Sequence, residues 1–431
     1  MVNEEFLWVL WQNVLFDAKE LQTVTGESVI IKKTGTLNGH AGPDFSLAHL
    51  RIGTMDWSGD VEIHTRSSDW YKHRHQNDAA YESVILHVVY EYDKDIIRKD
   101  GTVLPVLELK HRISAAHIEN YKNLMRAKSI IPCASQFPQV RNITVEQMKQ
   151  RVLVERLQRK TDDLYAQLLK QADWKTVAGK LLFKAFGTGL NDYLFERIAA
   201  AIDFNRLARL SHSKKSVEAL LFGLSGMLEL PFKDEYAGAL KKEFEYLAHT
   251  YDVKPVVAYS EWKFLRTRPV NFATIRIAQL AALFSDPDWF NQFSQIATQK
   301  QALLLFDKGI SSYWHTHYRF DVPSVHSLKK PGPDFISLCM INALIPFYVL
   351  EARYQKDADK WDTIFTLLES IHAENNVLTR NWKKVGMIIK NAYDTQSSIE
   401  LYKMYCTHKK CLSCTIGHSV LRNEFIPGHC S

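Results

Sequence analysis

The chain has 431 residues, 46% hydrophobic and 24% charged, with a formal net charge of +6. That length exceeds one ordinary core, so two or three domains are expected, and the composition is that of a globular protein rather than a disordered or collagen-like one. The mild basicity is far from that of a histone-like tail but accommodates a local nucleic-acid groove.

The N-terminal run MVNEEFLWVLWQNVLFDAKE has apolar residues at helical spacing. It has acids where a secretory leader has a basic region, and no small-residue cleavage site. No stretch reaches the roughly 20 uninterrupted apolar residues of a membrane span, so a cytoplasmic protein without membrane contact is expected. Short β-type runs follow: SVIIKKTG, DFSLAHLRIG, TMDWSGDVEIH, SVILHVVYEYD and LPVLELK, separated by Gly, Asn and Asp. Residues 1–115 therefore read as an α/β domain. Residues 116–140, with two prolines in IIPCASQFPQV, read as a linker, 141–400 as a mostly α-helical region, and 401–431 as a cysteine-rich segment.

Within the α/β part, Asp44 opens one strand and Glu62 lies inside the next. Strand alternation puts Asp60, Glu62 and His64 on one face, opposite Val61 and Ile63. Buried carboxylates need a cation or a partner. If the two strands form a hairpin, Asp44 approaches Glu62, and the pair can hold Mg²⁺ (or Mn²⁺) with water and phosphate oxygens. Pro43-Asp44 followed by Glu62-Ile63-His64 resembles the PD-(D/E)XK nuclease superfamily. The resemblance covers about residues 1–92 and implies a restriction-endonuclease-like α-β-β-β-α-β core hydrolysing phosphodiester bonds of DNA or RNA. Histidine stands where that pattern has lysine, and it titrates near neutrality. His64 would position or deprotonate water, or ligate the metal.

In DWYKHRHQND, His75 and Asp78 share a helical face and His73 lies away from it. His75 is taken as a catalytic helper, His87 in VILHVV as a core histidine, and Asn38 and His40 as cleft-lining. Trp57, Trp70 and Tyr71 are candidates for base stacking or core packing. The wording GxxNxxxGPDFxxA, WxGxVEIHxxSSDWxxHxH and RPxNFxxxRIAQLAxLF resembles an uncharacterised bacterial family of unknown function and implies no activity.

GPDF recurs at 332–335 without an acidic sequel, as the start of a helix with Pro333 in the first turn and Asp334 at its positive end. In SEWKFLRTRPVNFATIRIAQLAALF, Arg266, Arg268 and Arg276 read either as a phosphate-binding cluster or as partners of acids such as Glu155, Glu196 and Glu261. Cys406, Cys411 and Cys414, spaced C-x4-C-x2-C, point to Zn²⁺ or a [4Fe–4S] cluster. Fourth-ligand candidates are His408, His418, His429, Cys430 and Cys133. Three late cysteines with one remote one also resemble the iron–sulfur braces of some helicase-associated nucleases, which implies Cys133.

Two functions follow. One is a metal-dependent nuclease with Asp44 and Glu62 at the metal. The other is a catalytically inactive nucleic-acid-binding protein on a degenerate nuclease fold. A carbohydrate or small-molecule hydrolase is a distant third.

Overall fold

The computed structural model describes residues 2–264 and 268–423. Arg266, His429 and Cys430 lie outside the described residues. The chain divides into two compact units. One comprises residues 1–151, 380–387 and 398–431, the other 152–379 and 388–397.

In the first unit, helix α1 (Glu4–Gln12) is capped by Asn3, whose side chain accepts the Phe6 N–H at 3.1 Å. Phe6, Leu7, Val9, Leu10 and Trp11 are buried, and the Trp11 indole donates to the Thr34 carbonyl at 2.9 Å. The sheet holds β1 (Val29–Lys33), β2 (Thr36–Leu37), β3 (Phe45–Ile52), β4 (Met55–Arg66), β5 (Val84–Glu91) and β6 (Val106–Glu108). Its order is β1-β3-β4-β5-β6, with β2 beside the start of β3. The β1, β3 and β4 strands are antiparallel, whereas β4, β5 and β6 run parallel. A parallel neighbour needs a crossover. Between β4 and β5 the crossover contains the short helix α2 (Asp69–Lys72) and two 3-10 turns. In β5, VILHVV is buried on both faces, as befits a strand between parallel neighbours.

The expected α/β part followed by a mostly helical region is therefore present. The compact units are drawn differently from the sequence segments. Residues 116–140 include most of helix α3 (Ala115–Arg126), and the segment after residue 398 returns to the first unit. Ser114 caps α3 through the His117 N–H at 3.2 Å, and Tyr121 stacks on Phe6 with ring centroids 4.2 Å apart. Asn120 donates to the Val420 carbonyl at 3.0 Å.

The second unit is helical around one apolar core, with a small hairpin at His317–Arg319 and Val322–Pro323. Pro333–Gln355 forms 23 continuous helical residues whose most apolar 18-residue window has mean hydropathy 1.8, long and apolar enough to cross a membrane by composition. Of its most apolar window 78% is buried inside the protein, as in a core helix.

Candidate functional site

The two GPDF sequences differ in backbone. Gly42 has φ +112°, a region that favours glycine, and this turn delivers Asp44 to the start of β3. Gly332 has φ −76° and precedes an ordinary helix start with Pro333 in its first turn and Asp334 exposed. Phe45 pairs with Val61, so Asp44 falls beside Glu62. The contact is reciprocal. The Asp44 N–H donates to Glu62 Oε2 at 3.0 Å, and Asp44 Oδ2 accepts the Ile63 N–H at 2.9 Å.

Alternation in β4 works as expected for Glu62 and His64, which are buried opposite Val61 and Ile63. Asp60 does not join them. A register shift between Asp60 and Val61 separates it from the cluster. Its carboxylate accepts the Leu47 N–H at 3.2 Å and the Ser83 hydroxyl at 2.6 Å.

The crossover supplies two more imidazoles, and here the helical expectation fails. Helix α2 stops at Lys72, and Arg74 takes a left-handed φ of +63°. On a continuous helix His73 and His75 would diverge. The reversal at Arg74 brings their ring centroids to 5.5 Å. His64 Nε2 lies 3.1 Å from His73 Nδ1 and 3.4 Å from Glu62 Oε1, and His75 Nε2 lies 3.3 Å from the same oxygen. One nitrogen each from His64, His73 and His75 fall within 4.8 Å of one another. The His75 ring sits between Tyr81, stacked at 3.8 Å, and the roughly parallel His64 ring at 5.3 Å. His75 Nε2 is buried and makes no hydrogen bond.

Behind this group, His64 Nδ1 is hydrogen-bonded to His87 Nε2 at 2.8 Å. His87, expected as a core residue, is fully buried on β5 opposite Glu62 and supports His64 from behind. Glu4 on α1 is half-buried and faces Asp44, Glu62, His73 and His75 electrostatically. Sequence reasoning missed it, although an acid one turn before Trp8 on an otherwise apolar helix was a usable signal.

The electrostatics are those of a site short of positive charge. Burial, then Glu62, raises the Asp44 carboxyl; burial, then Glu4, raises that of Glu62, against the lowering pull of the Asp44 N–H. Burial, then the neighbouring imidazoles, pushes His64 down to about 2, and burial pushes His87 down to about 3. His75 is lowered, again chiefly by burial. Neutral imidazoles beside carboxyls that resist ionisation form a donor set that a divalent cation would relieve.

The donors fit such an ion. Tetrahedral ligands about 2.0–2.1 Å from a metal stand about 3.3 Å apart, close to the 3.1, 3.3 and 3.4 Å found here. Three imidazoles suit zinc better than the magnesium or manganese expected from the carboxylates alone. Were His64 to hold a metal, its contact with His87 would be the outer hydrogen bond that fixes its tautomer. His73 is exposed and Asp44 half-exposed, so the cluster meets solvent on that side. A cavity of about 320 Å³ adjoins His75, lined also by Asp78, Tyr81 and Arg98.

The remaining candidates are placed as follows. Asn38 serves its own loop, donating to the Pro43 carbonyl at 3.1 Å, and its side chain accepts the His40 N–H at 2.9 Å. Trp70 is buried against His75 and His87, Trp57 is exposed and Tyr71 half-buried. Arg268 is exposed. Arg276 is buried, contrary to a phosphate-facing role. Its guanidinium donates to Gln279 at 2.8 Å and Asn271 at 2.6 Å and lies 3.3 Å from the Phe335 ring centroid. Cys133, Cys411 and Cys414 are buried and Cys406 half-buried, all with free thiols.

A family model described as "Protein of unknown function (DUF2851)" matches residues 4–377. The chain belongs to this family. The matched span contains the whole histidine–carboxylate cluster and Cys133, and ends before Cys406. No curated protein and no solved structure matches the chain.

Proposed function

We propose that the protein is a metal-dependent phosphodiester hydrolase acting on DNA or RNA. The convergence of Asp44, Glu62, His64, His73 and His75 on one side of the sheet carries this reading. The order α1, antiparallel β1-β3-β4, a short helical crossover and a parallel β5 supports it, because the PD-(D/E)XK resemblance implies that order.

Glu62 and the imidazoles of His64, His73 and His75 would hold the metal. Such an ion lowers the pKa of bound water and neutralises charge on a phosphodiester. Asp44, half-exposed and beside Glu62, accepts the proton of the attacking water. His64 is not that base, since its ring is enclosed by His73 and His87 and its basicity is suppressed by burial. It positions the site instead.

Incubating the full chain with single- and double-stranded DNA and with RNA, each with Mn²⁺, Zn²⁺ or Mg²⁺, tests the reading. Cleavage should fall about 100-fold or more in Asp44→Asn and vanish in Glu62→Gln. No cleavage with any metal defeats it.

The second reading is an inactive nucleic-acid-binding protein. One observation favours it: His64 cannot supply the fixed cation that lysine provides in the resembling nucleases. Salt-dependent binding without cleavage is its signature.

A further inference from the structure

We propose that Cys133, Cys406, Cys411 and Cys414 form a second, independent metal centre. It is held by four thiolates and staples the C-terminal segment to the first unit, with zinc or an iron–sulfur cluster as its occupant.

The four cysteines come from two distant stretches that belong to the first unit, with Cys133, Cys411 and Cys414 buried and Cys406 half-buried. None is bridged to another. Cys133 heads a tight turn in which its carbonyl accepts the N–H groups of Gln136 at 3.0 Å and Phe137 at 2.8 Å. Cys406 ends a π-helical turn, Leu401–Cys406, an irregularity frequent at functional sites. Cys411 and Cys414 flank a single 3-10 turn, with the Cys414 N–H donating to the Cys411 carbonyl at 3.3 Å.

The loop is built for close approach. A side chain on Gly417 would meet the Cys411 carbonyl oxygen at 2.1 Å, so glycine lets the terminal helix Thr415–Leu421 close on the cysteine loop. The N–H groups of Ile416 and Gly417 point at the Cys414 sulfur, as amides do around metal-bound thiolates.

The two stretches are also tied by hydrogen bonds. Gln136, in the Cys133 turn, donates to Asn120 at 3.2 Å, and Asn120 donates to the Val420 carbonyl at 3.0 Å and to Asn423 at 2.8 Å. Arg151 donates to the Ser413 carbonyl at 3.3 Å, and Arg422 binds Asn13 at the end of α1. Of the described fourth-ligand candidates, His418 is engaged with the Leu412 carbonyl and His408 is exposed, whereas Cys133 is buried.

Four soft sulfur donors with few exposed atoms suit a closed structural site for zinc or for an iron–sulfur cluster, not for magnesium or calcium. Ligation would release the thiol protons and add metal-binding free energy to folding.

The test is metal content and visible absorption of the full chain purified without oxygen from medium containing zinc and iron. One zinc without colour, or four irons with a broad visible band, supports the proposal and names the occupant. One zinc equivalent, or the four irons with their band, should be lost in Cys133→Ser and Cys411→Ser and retained in Cys339→Ser, a buried thiol of the second unit. It should also persist in His75→Ala, which separates this centre from the histidine site. If Cys133→Ser fails to fold, native wild type is titrated with a chelator instead, and release of metal should expose four thiols to a thiol reagent. Neither zinc nor iron bound in a cysteine-dependent way, with the four thiols freely reactive in the native chain, overturns the proposal.

Discussion

Asp44 and Glu62 are locked by a reciprocal contact: the backbone N–H of Asp44 binds the Glu62 carboxylate at 3.0 Å, and the Asp44 carboxylate binds the next backbone N–H along β4, that of Ile63, at 2.9 Å. Each acid is held in place by main chain rather than by a cationic side chain. Two carboxylates so arranged, one buried and one half-exposed, repel one another unless one is protonated or a cation lies between them.

In the metal-free protein this cluster should limit stability from both sides. The raised Asp44 and Glu62 values mean the folded state keeps protons the unfolded state has lost. Their contribution is present below the ordinary carboxylate range and is lost as pH rises toward and past neutrality. His64 and His87 have the opposite sign. Their depressed values, about 2 and about 3, contribute above the ordinary imidazole range and are lost as pH falls through it toward those values. The melting temperature of chelator-treated protein should therefore peak on the acid side of neutrality, between the ordinary carboxylate and imidazole ranges. Glu62→Gln should flatten the alkaline limb by roughly 2 kcal/mol, and an unchanged limb would exclude the burial account.

His87→Phe should weaken metal binding at the cluster by about 10–100-fold while removing no ligand, because it deletes the partner of His64 Nδ1. His75→Ala, which removes a ligand, should cost more. Calorimetric titration with Zn²⁺ or Mn²⁺ measures both. Equal, negligible losses would place the metal elsewhere.

Arg74→Gly should preserve or slightly improve metal affinity, since glycine adopts φ +63° without cost. Arg74→Pro forces φ near −65° and should separate His73 from His75, abolishing tight binding. Comparable affinity in the two variants would show that the reversed turn is incidental.

The two GPDF glycines give an internal comparison. Gly42→Ala forces a side chain to φ +112° and should destabilise the protein by about 1–3 kcal/mol. Gly332→Ala, in open space at φ −76°, should fall within about 0.5 kcal/mol of wild type. Chemical denaturation distinguishes them.

Arg276→Ala should destabilise by about 2–4 kcal/mol through lost packing on Phe335 and stranded Gln279 and Asn271 acceptors. It should leave any nucleic-acid affinity unchanged. A selective loss of binding in a fully stable variant would restore the phosphate-facing role.

Local spacing determined a good deal about this protein. Alternating faces in GDVEIH buried Glu62 and His64 together, a glycine turn set Asp44 across from Glu62, and Pro333-Asp334 read as a helix start. These follow from the strand period of two and from turn and cap chemistry, which neighbouring residues decide. The tertiary structure alone decided the rest. One left-handed residue, Arg74, reverses the expected divergence of His73 and His75. A register shift removes Asp60 from the face it should share. Burial converts Arg276 from a surface cation into a packed one. Glu4 and His87 join the histidine–carboxylate cluster only because a helix and a parallel strand pack there. Such placements depend on contacts between segments far apart in the chain, and periodicity carries no information about them.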